Sequence, residues 1–313
     1  MFSYIFRRIL MTVPVILVVA LVIFSLLYLT PGDPAAVIAG DTASADDIAR
    51  IRERLGLDRP FVVQFADWGW RVLHGDLGHS VFTNLPVTGM ITQRLEPTLS
   101  LTFLTLLLSV CTAIPIGVIA AARNGTIIDR CIMTIAVIFF SVPVFVCGYI
   151  FAWYFALDLN WLPVQGYQPI ARGVWGWLSH LILPAAALGT AYIALIARTV
   201  RATMLDVLQQ DYVRTAKAKG LKRWQILFVH ALRNASIPVI TIVGIGFTLL
   251  ISGAVVTETV FGIPGVGRLT VDAVLQRDYP VIQGVILVFS ILYVLINLIV
   301  DITYTIVDPR IRY

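Results

Sequence analysis

Six stretches of the chain, residues 9–29, 97–122, 131–157, 173–197, 234–257 and 279–300, contain no Asp, Glu, Lys or Arg. Each is strongly apolar and longer than 20 residues, enough for an α-helix to cross a hydrocarbon core about 30 Å thick. A backbone in lipid must satisfy its own N–H and C=O groups, and an isolated apolar run does so only as a helix. The pattern therefore predicts an all-α integral membrane protein with six transmembrane helices. One further charge-free stretch, residues 77–93, holds Gly78, His79, Asn84, Pro86 and Gly89; it is too polar and broken to count. Composition agrees, with 13% charged residues against about 25% in soluble domains, and a mean hydropathy of +0.88.

Arg7 and Arg8 before the first run resemble the start of a signal peptide. The run is too long for a signal core, however, and ends in Pro31-Gly32-Asp33-Pro34 rather than a small-x-small cleavage site, so it is expected to stay as a helix. Cys111, Cys131 and Cys147 all fall in apolar stretches without Cys-x-x-Cys spacing, which supports neither a disulfide framework nor a metal site.

The net charge of +5 is a topology signal rather than a nucleic-acid one, because the basic residues cluster at the ends of the apolar runs. With the N-terminus inside, the inner segments hold Arg7, Arg8, Arg123, Arg130, Arg198, Arg201 and all three lysines, Lys217, Lys219 and Lys222. The short outer loops hold only Arg172, Arg268 and Arg277. The positive-inside rule then places both termini in the cytoplasm. Residues 1–30 form an inner terminus and first helix, 31–96 an outer segment, and 97–313 a five-helix core. In the outer segment Ser44 can cap a helix with Asp47, Ile48, Ile51 and Leu55 share a face, and Gly56 stops it. A second helix starts at Pro60, carries Phe61, Phe65, Trp68 and Val72 on one side, and stops at Gly75. These two amphipathic helices would form a small extracytoplasmic layer.

The inner loop 201–234 is the most informative element. Residues 203–219 are good helix formers, Gly220 can adopt the positive φ that closes a helix, and residues 221–228 begin a second helix leading into the fifth run. A helix–Gly–helix knob is suited to docking in a groove on a partner. An ordinary basic loop touching anionic lipid headgroups is the alternative reading. Arg214-Thr215-Ala216, Gly220-Leu221 and Ser236-Ile237-Pro238 occupy the positions of the Glu-Ala-Ala, glycine and closing proline in the EAA loop of binding-protein-dependent ABC importers. Arg stands for Glu, and Thr for the first Ala. The form Tyr-Val-Arg-Thr-Ala-Lys-Ala-Lys-Gly-Leu resembles that of the dipeptide/oligopeptide/nickel permease family. So do Pro31-Gly32-Asp33-Pro34, Leu55-Gly56-Leu57-Asp58-Arg59-Pro60, Gly75-Asp76-Leu77-Gly78-His79-Ser80, Glu258-Thr259-Val260-Phe261, Pro264-Gly265-Val266-Gly267, Arg277-Asp278-Tyr279-Pro280 and Asp308-Pro309-Arg310-Ile311-Arg312. In order along almost the whole chain, they are most similar to the B-type subunit of that family's dipeptide importers.

The resemblance implies a type I permease bundle in a bacterial inner membrane, forming half of a translocation pathway for dipeptides or similar small peptides. Nickel complexes, glutathione and oligosaccharides are the alternative substrates within the family. It also implies a homologous second permease, two ATPases that bind ATP and Mg²⁺, and an extracytoplasmic substrate-binding protein. Membrane lipid is the remaining partner, and no nucleic acid is expected. The chain itself should hold no cofactor, metal or catalytic residue. A phosphate-cradling loop needs a Gly-Lys-Ser/Thr sequence, and no lysine here follows a glycine. His74 and His79 are not at the His-x-x-x-His spacing of a helical zinc face. A secondary transporter would bury ionisable relays at membrane depth, whereas Glu258 and Asp301 only border the runs. Among the prolines and glycines within the runs, Pro143 and Gly253 are the candidates for lining the translocation path.

The charge asymmetry generates a topology test. A cysteine at position 47, in a background lacking Cys111, Cys131 and Cys147, is expected to react with an impermeant thiol reagent from the outer face. Labelling from the cytoplasmic face alone would reverse the assignment.

Overall fold

The structure, a computed structural model, describes residues 2–29, 35–36, 44–56 and 58–307. The motifs at 31–34 and 308–312, and Leu57, lie outside the described residues. Helices α1 (Phe2–Leu29), α2 (Ala45–Leu55), α3 (Phe61–Leu73), α4 (Val87–Ala122), α5 (Ile127–Ser141) and α6 (Val144–Phe151) are followed by α7 (Val174–Leu208) and α8 (Asp211–Ala218). Then come α9 (Leu232–Val260), α10 (Val266–Gln276) and α11 (Tyr279–Val307). Wider π-helical turns, Ala152–Asp158 and Gln225–Ala231, extend α6 and precede α9. Among the described residues there is no strand, only a bridge between His79 and Pro86.

Among the described residues four helices are long and apolar enough to cross a membrane: α4, α7, the continuous Gln225–Val260, and Tyr279–Thr303 within α11. The third expected run is not one straight helix. It is α5 and Val144–Asp158, bent by 101° at a short break. Pro143 causes the break: it has no N–H to continue α5, and its φ of −57° suits the start of α6. The first expected run lies in α1, whose apolar length is Leu10–Ser25. The six runs thus appear as four long spans, one bent pair and a shorter apolar helix.

The chain divides into two compact units. The first comprises Met1–Glu96 and Arg268–Leu298. Its α2 begins with the expected capping box, in which the Ser44 hydroxyl accepts the Asp47 N–H and the Asp47 carboxylate accepts the Ser44 N–H, each at 3.2 Å. The Ser44 bonds hold the Asp47 carboxyl below its ordinary range. Gly56, with φ of +67°, ends the helix. The aromatic face of α3 packs on α1: Phe24 lies 5.4 Å from Phe61 and 5.5 Å from both Phe65 and Trp68, centroid to centroid. The Tyr28 hydroxyl donates to Gln64 Oε1. Buried Asp278 ties the loop before α4 to that before α11, accepting from the Ser80 hydroxyl at 2.5 Å and the Val81 N–H at 3.2 Å.

The second unit, Pro97–Gly267 with Ile299–Tyr313, is organised around α7. Buried positions run along α7 from Leu181 to Met204, and 67% of its apolar window is buried against 33% for Gln225–Val260. Lipid tails are as apolar as leucine, so helices in a membrane associate by close packing rather than by expulsion from water. Small residues supply that closeness. A Cβ on Gly117 would lie 2.7 Å from the Ala197 carbonyl oxygen and 2.7 Å from Val200 Cβ, and one on Gly246 would enter the ring of Tyr192. The Tyr192 hydroxyl reaches the Ile242 and Val243 carbonyls of α9 at 2.9 and 2.8 Å.

The packing separates two chemically identical substitutions. Gly117→Ala forces α4 from α7 and is expected to destabilise by about 1–3 kcal/mol, the range for overpacking. Gly89→Ala, where the new methyl meets only Pro86 Cγ at 3.6 Å, should be neutral or stabilising by up to about 1 kcal/mol. Thermal unfolding of both variants in detergent checks this, and equal midpoints would disprove the close α4–α7 contact.

Candidate functional site

The knob is built by two interruptions. Helix α7 runs on past its apolar part to Leu208, then Gln209 and extended Gln210 (φ −70°, ψ 149°) redirect the chain into α8. The expected single helix over 203–219 is therefore split. The reason is burial: Val213 and Ala216 of α8 close on Ile226 and Leu208 in a small apolar cluster of their own, which a straight continuation of α7 would not form. Asp211 in the first turn of α8 suits that helix's positive end.

Gly220 then closes α8 with two reverse bonds. Its N–H donates to the Lys217 carbonyl at 3.0 Å, and the Leu221 N–H donates to the Ala216 carbonyl at 3.3 Å. This is a Schellman motif, which requires a left-handed residue at the position after the cap; Gly220 has φ of +78°. A Cβ there would meet nothing within 4 Å, so the need for glycine is conformational and not one of space. The loop then turns at Lys222, whose N–H donates to Gln225 Oε1 at 3.0 Å.

The outer face of α8 is open to water. Arg214 is exposed and reaches Asp211 at 3.3 Å, and exposed Thr215 donates to the Asp211 carbonyl at 3.1 Å. Ala216 faces inward, which accounts for its small size. Pro238 lies within α9 and deprives the Asn234 carbonyl of its helical donor. The Asn234 amide donates to the Tyr212 hydroxyl at 2.8 Å, joining α8 to α9.

Several anchoring residues were not singled out by sequence. The Arg201 guanidinium grips Asp129 with two bonds, Nε to Oδ1 at 2.5 Å and Nη2 to Oδ2 at 2.8 Å, and Asp129 is 3% exposed. Arg223 donates to the Ala122 carbonyl at 2.5 Å, at the C-terminus of α4. An aspartate between two arginines of a short turn reads as topology, and only the fold brings Arg201 beside it. Glu258, expected at a span border, is 0% exposed and accepts from the Thr98 hydroxyl at 2.5 Å, because α9 continues to Val260 and the turn after it folds over the carboxylate.

The two pathway candidates lie in different settings. Pro143 is exposed at the bend between α5 and α6. Gly253 lies where α9 approaches α7, and a Cβ there would be 2.9 Å from Leu188 Cδ1. In the first unit an open cavity of about 620 Å³ is bordered by both signs of charge and by aromatics, including Arg59, Asp67, Arg71, Asp76 and Trp68. Among the described residues no three His, Cys, Asp or Glu side chains are grouped to hold a metal.

Residues 113–313 match the family described as "Binding-protein-dependent transport system inner membrane component", and residues 1–102 match its N-terminal counterpart. The chain is 54% identical, over 99% of both chains, to the "Probable peptide ABC transporter permease protein y4tP" of Sinorhizobium fredii. It is 44% identical over the full length of both to the glutathione transport system permease protein GsiC of Salmonella typhimurium. Its fold is similar to that of a chain in an inward-facing structure of the MetNI methionine ABC transporter, with a TM-score of 0.59, 18% identity, and coverage of 70% of this chain and 96% of that one.

Proposed function

This chain belongs to the inner membrane components of binding-protein-dependent transport systems, and from that premise we propose that it is one permease subunit of an ATP-binding-cassette importer for short peptides. It is a multi-pass membrane protein and a transport component, not itself a catalyst. A second, homologous permease completes the pathway. Two ATPases bind ATP and Mg²⁺ below, and a substrate-binding protein delivers the solute above. Both termini and the knob lie in the cytoplasm. The open cavity of the outer layer faces the binding protein.

The observation that carries the reading is the knob. A Gly220-closed helical turn with its own apolar cluster, and with Arg214 and Thr215 on its open face, stands where the EAA pattern falls. Such an element has the stiffness to transmit force and a surface to dock. ATP binding closes the ATPases, the docked knob moves with them, and the bundle opens outward to receive the solute. The named relatives support peptides as the substrate class. The glutathione relative supports that tripeptide as a specific member of it.

Gly220→Val tests the proposal. A β-branched residue at left-handed φ costs roughly 1–2 kcal/mol, too little to unfold the bundle but enough to re-aim the chain leaving α8. The variant should accumulate and insert normally, yet lose peptide uptake and co-purification of the ATPases. Arg214→Glu, which alters only an exposed charge pair, should be milder. Normal uptake by Gly220→Val at wild-type abundance would show the knob to be a lipid-facing basic loop.

A further inference from the structure

The short turn between α4 and α5 is held from both sides of the knob. Arg201, near the inner end of α7 and before the knob, takes Asp129 in a two-bond fork and reaches Asn124 Oδ1 at 3.0 Å. Arg223, just after Gly220, donates to the Ala122 carbonyl. The turn itself is stiff. The Thr126 N–H bonds the Arg123 carbonyl at 3.0 Å, the Gly125 N–H bonds the Asp129 carboxylate at 3.0 Å, and Gly125 sits at φ of +78°.

We infer that the Asp129–Arg201 fork and the Arg223–Ala122 contact are positioning elements that carry the knob's displacement into α4 and α5 as well as α7 and α9. A knob displaced by a partner must either take the 123–126 turn with it or break both anchors. Breaking the first would leave a nearly buried carboxylate without its fork, which is unfavourable, whereas the intact pair adds little net stability because Asp129 was removed from water and Arg201 partly so. The fork therefore has more value as a geometric constraint than as a source of stability. Arginine suits it because its planar fork fixes direction as well as distance. Helix α5 leads straight to the bend at Pro143, so a displacement of the turn reaches that bent span.

The inference rests on the knob being the coupling element, and its test separates the two. In the assembled importer, Asp129→Asn and Arg201→Gln should still co-purify with the ATPases, unlike Gly220→Val. Solute moved per ATP hydrolysed should fall between about two- and thirtyfold, the range for residues along a coupling route. Arg201→Lys, which keeps the charge but not the fork, should recover part of that ratio. A residue with only a structural role would lower abundance, hydrolysis and uptake together and leave the ratio unchanged, which would overturn the inference. Cross-linking supplies a second measurement that does not depend on those variants folding. Cysteines at Arg123→Cys and Arg223→Cys, in the background without native cysteines, are joined by a linker as long as an arginine side chain. Turn and knob moving as one body predicts that linking keeps uptake and restores whatever the unlinked pair loses with the Arg223 anchor. Loss of uptake specific to the linked pair would show that they move apart, and would also overturn the inference.

Discussion

Within a bilayer the helices of this protein have no water to escape from, so what holds them together is the closeness with which they can approach. The second unit shows the consequence. Helix α7 is buried along most of its apolar length, and it meets the helices beside it at glycines on one side or the other: Gly117 against Ala197 and Val200, its own Gly189 against Ser109, Gly246 against Tyr192, and Gly253 against Leu188. Side chains at these positions would separate the helices and forfeit dispersion contacts that nothing else replaces. The knob, the α4–α5 turn and the bent span all project from this packed centre, and their aim depends on it.

Where the chain leaves the apolar layer, different rules apply. Water can satisfy the backbone, so helices may stop and turn, and several stops here have a local cause. Ser44 and Asp47 cap α2, Gly56 ends it, and Gly220 closes α8 with reverse hydrogen bonds. The knob acquires a cluster of its own from Val213, Ala216 and Ile226, so its stiffness does not come from its backbone alone. Its outward face is left to Arg214 and Thr215. An apolar underside and a polar outer face are the two sides of this one short helix.

Much of this architecture was legible in the sequence, and the reasons differ by element. The positions of the apolar runs and of the short helices α2 and α3 followed from hydropathy and capping chemistry, which are local. The left-handed state of Gly220 followed likewise, because few other residues tolerate that conformation. The break before Asp211 was not legible: residues 203–219 are uniformly good helix formers, and only the gain from burying Val213 and Ala216 against Ile226 divides them. The bend at Pro143 was visible as a proline but not as a turn of 101°, since a proline may kink or end a helix according to its neighbours. Glu258 looked like a border residue because a charge ends an apolar run, whereas its carboxylate is sheltered by the fold of the following glycine-rich turn.

The sequence by itself determined that the chain is helical and membrane-spanning, where the short helices α2 and α3 lie, and that Gly220 closes a helix in the loop 201–234. Each of these depends on residues close together in the chain, through hydrogen bonding in lipid, helix capping or left-handed glycine. The tertiary structure alone decided that Arg201 meets Asp129 across 72 positions and Arg223 meets Ala122 across 101. Such pairs form when packing around α7 sets the ends of distant helices side by side, and no local rule of spacing or composition encodes that distance.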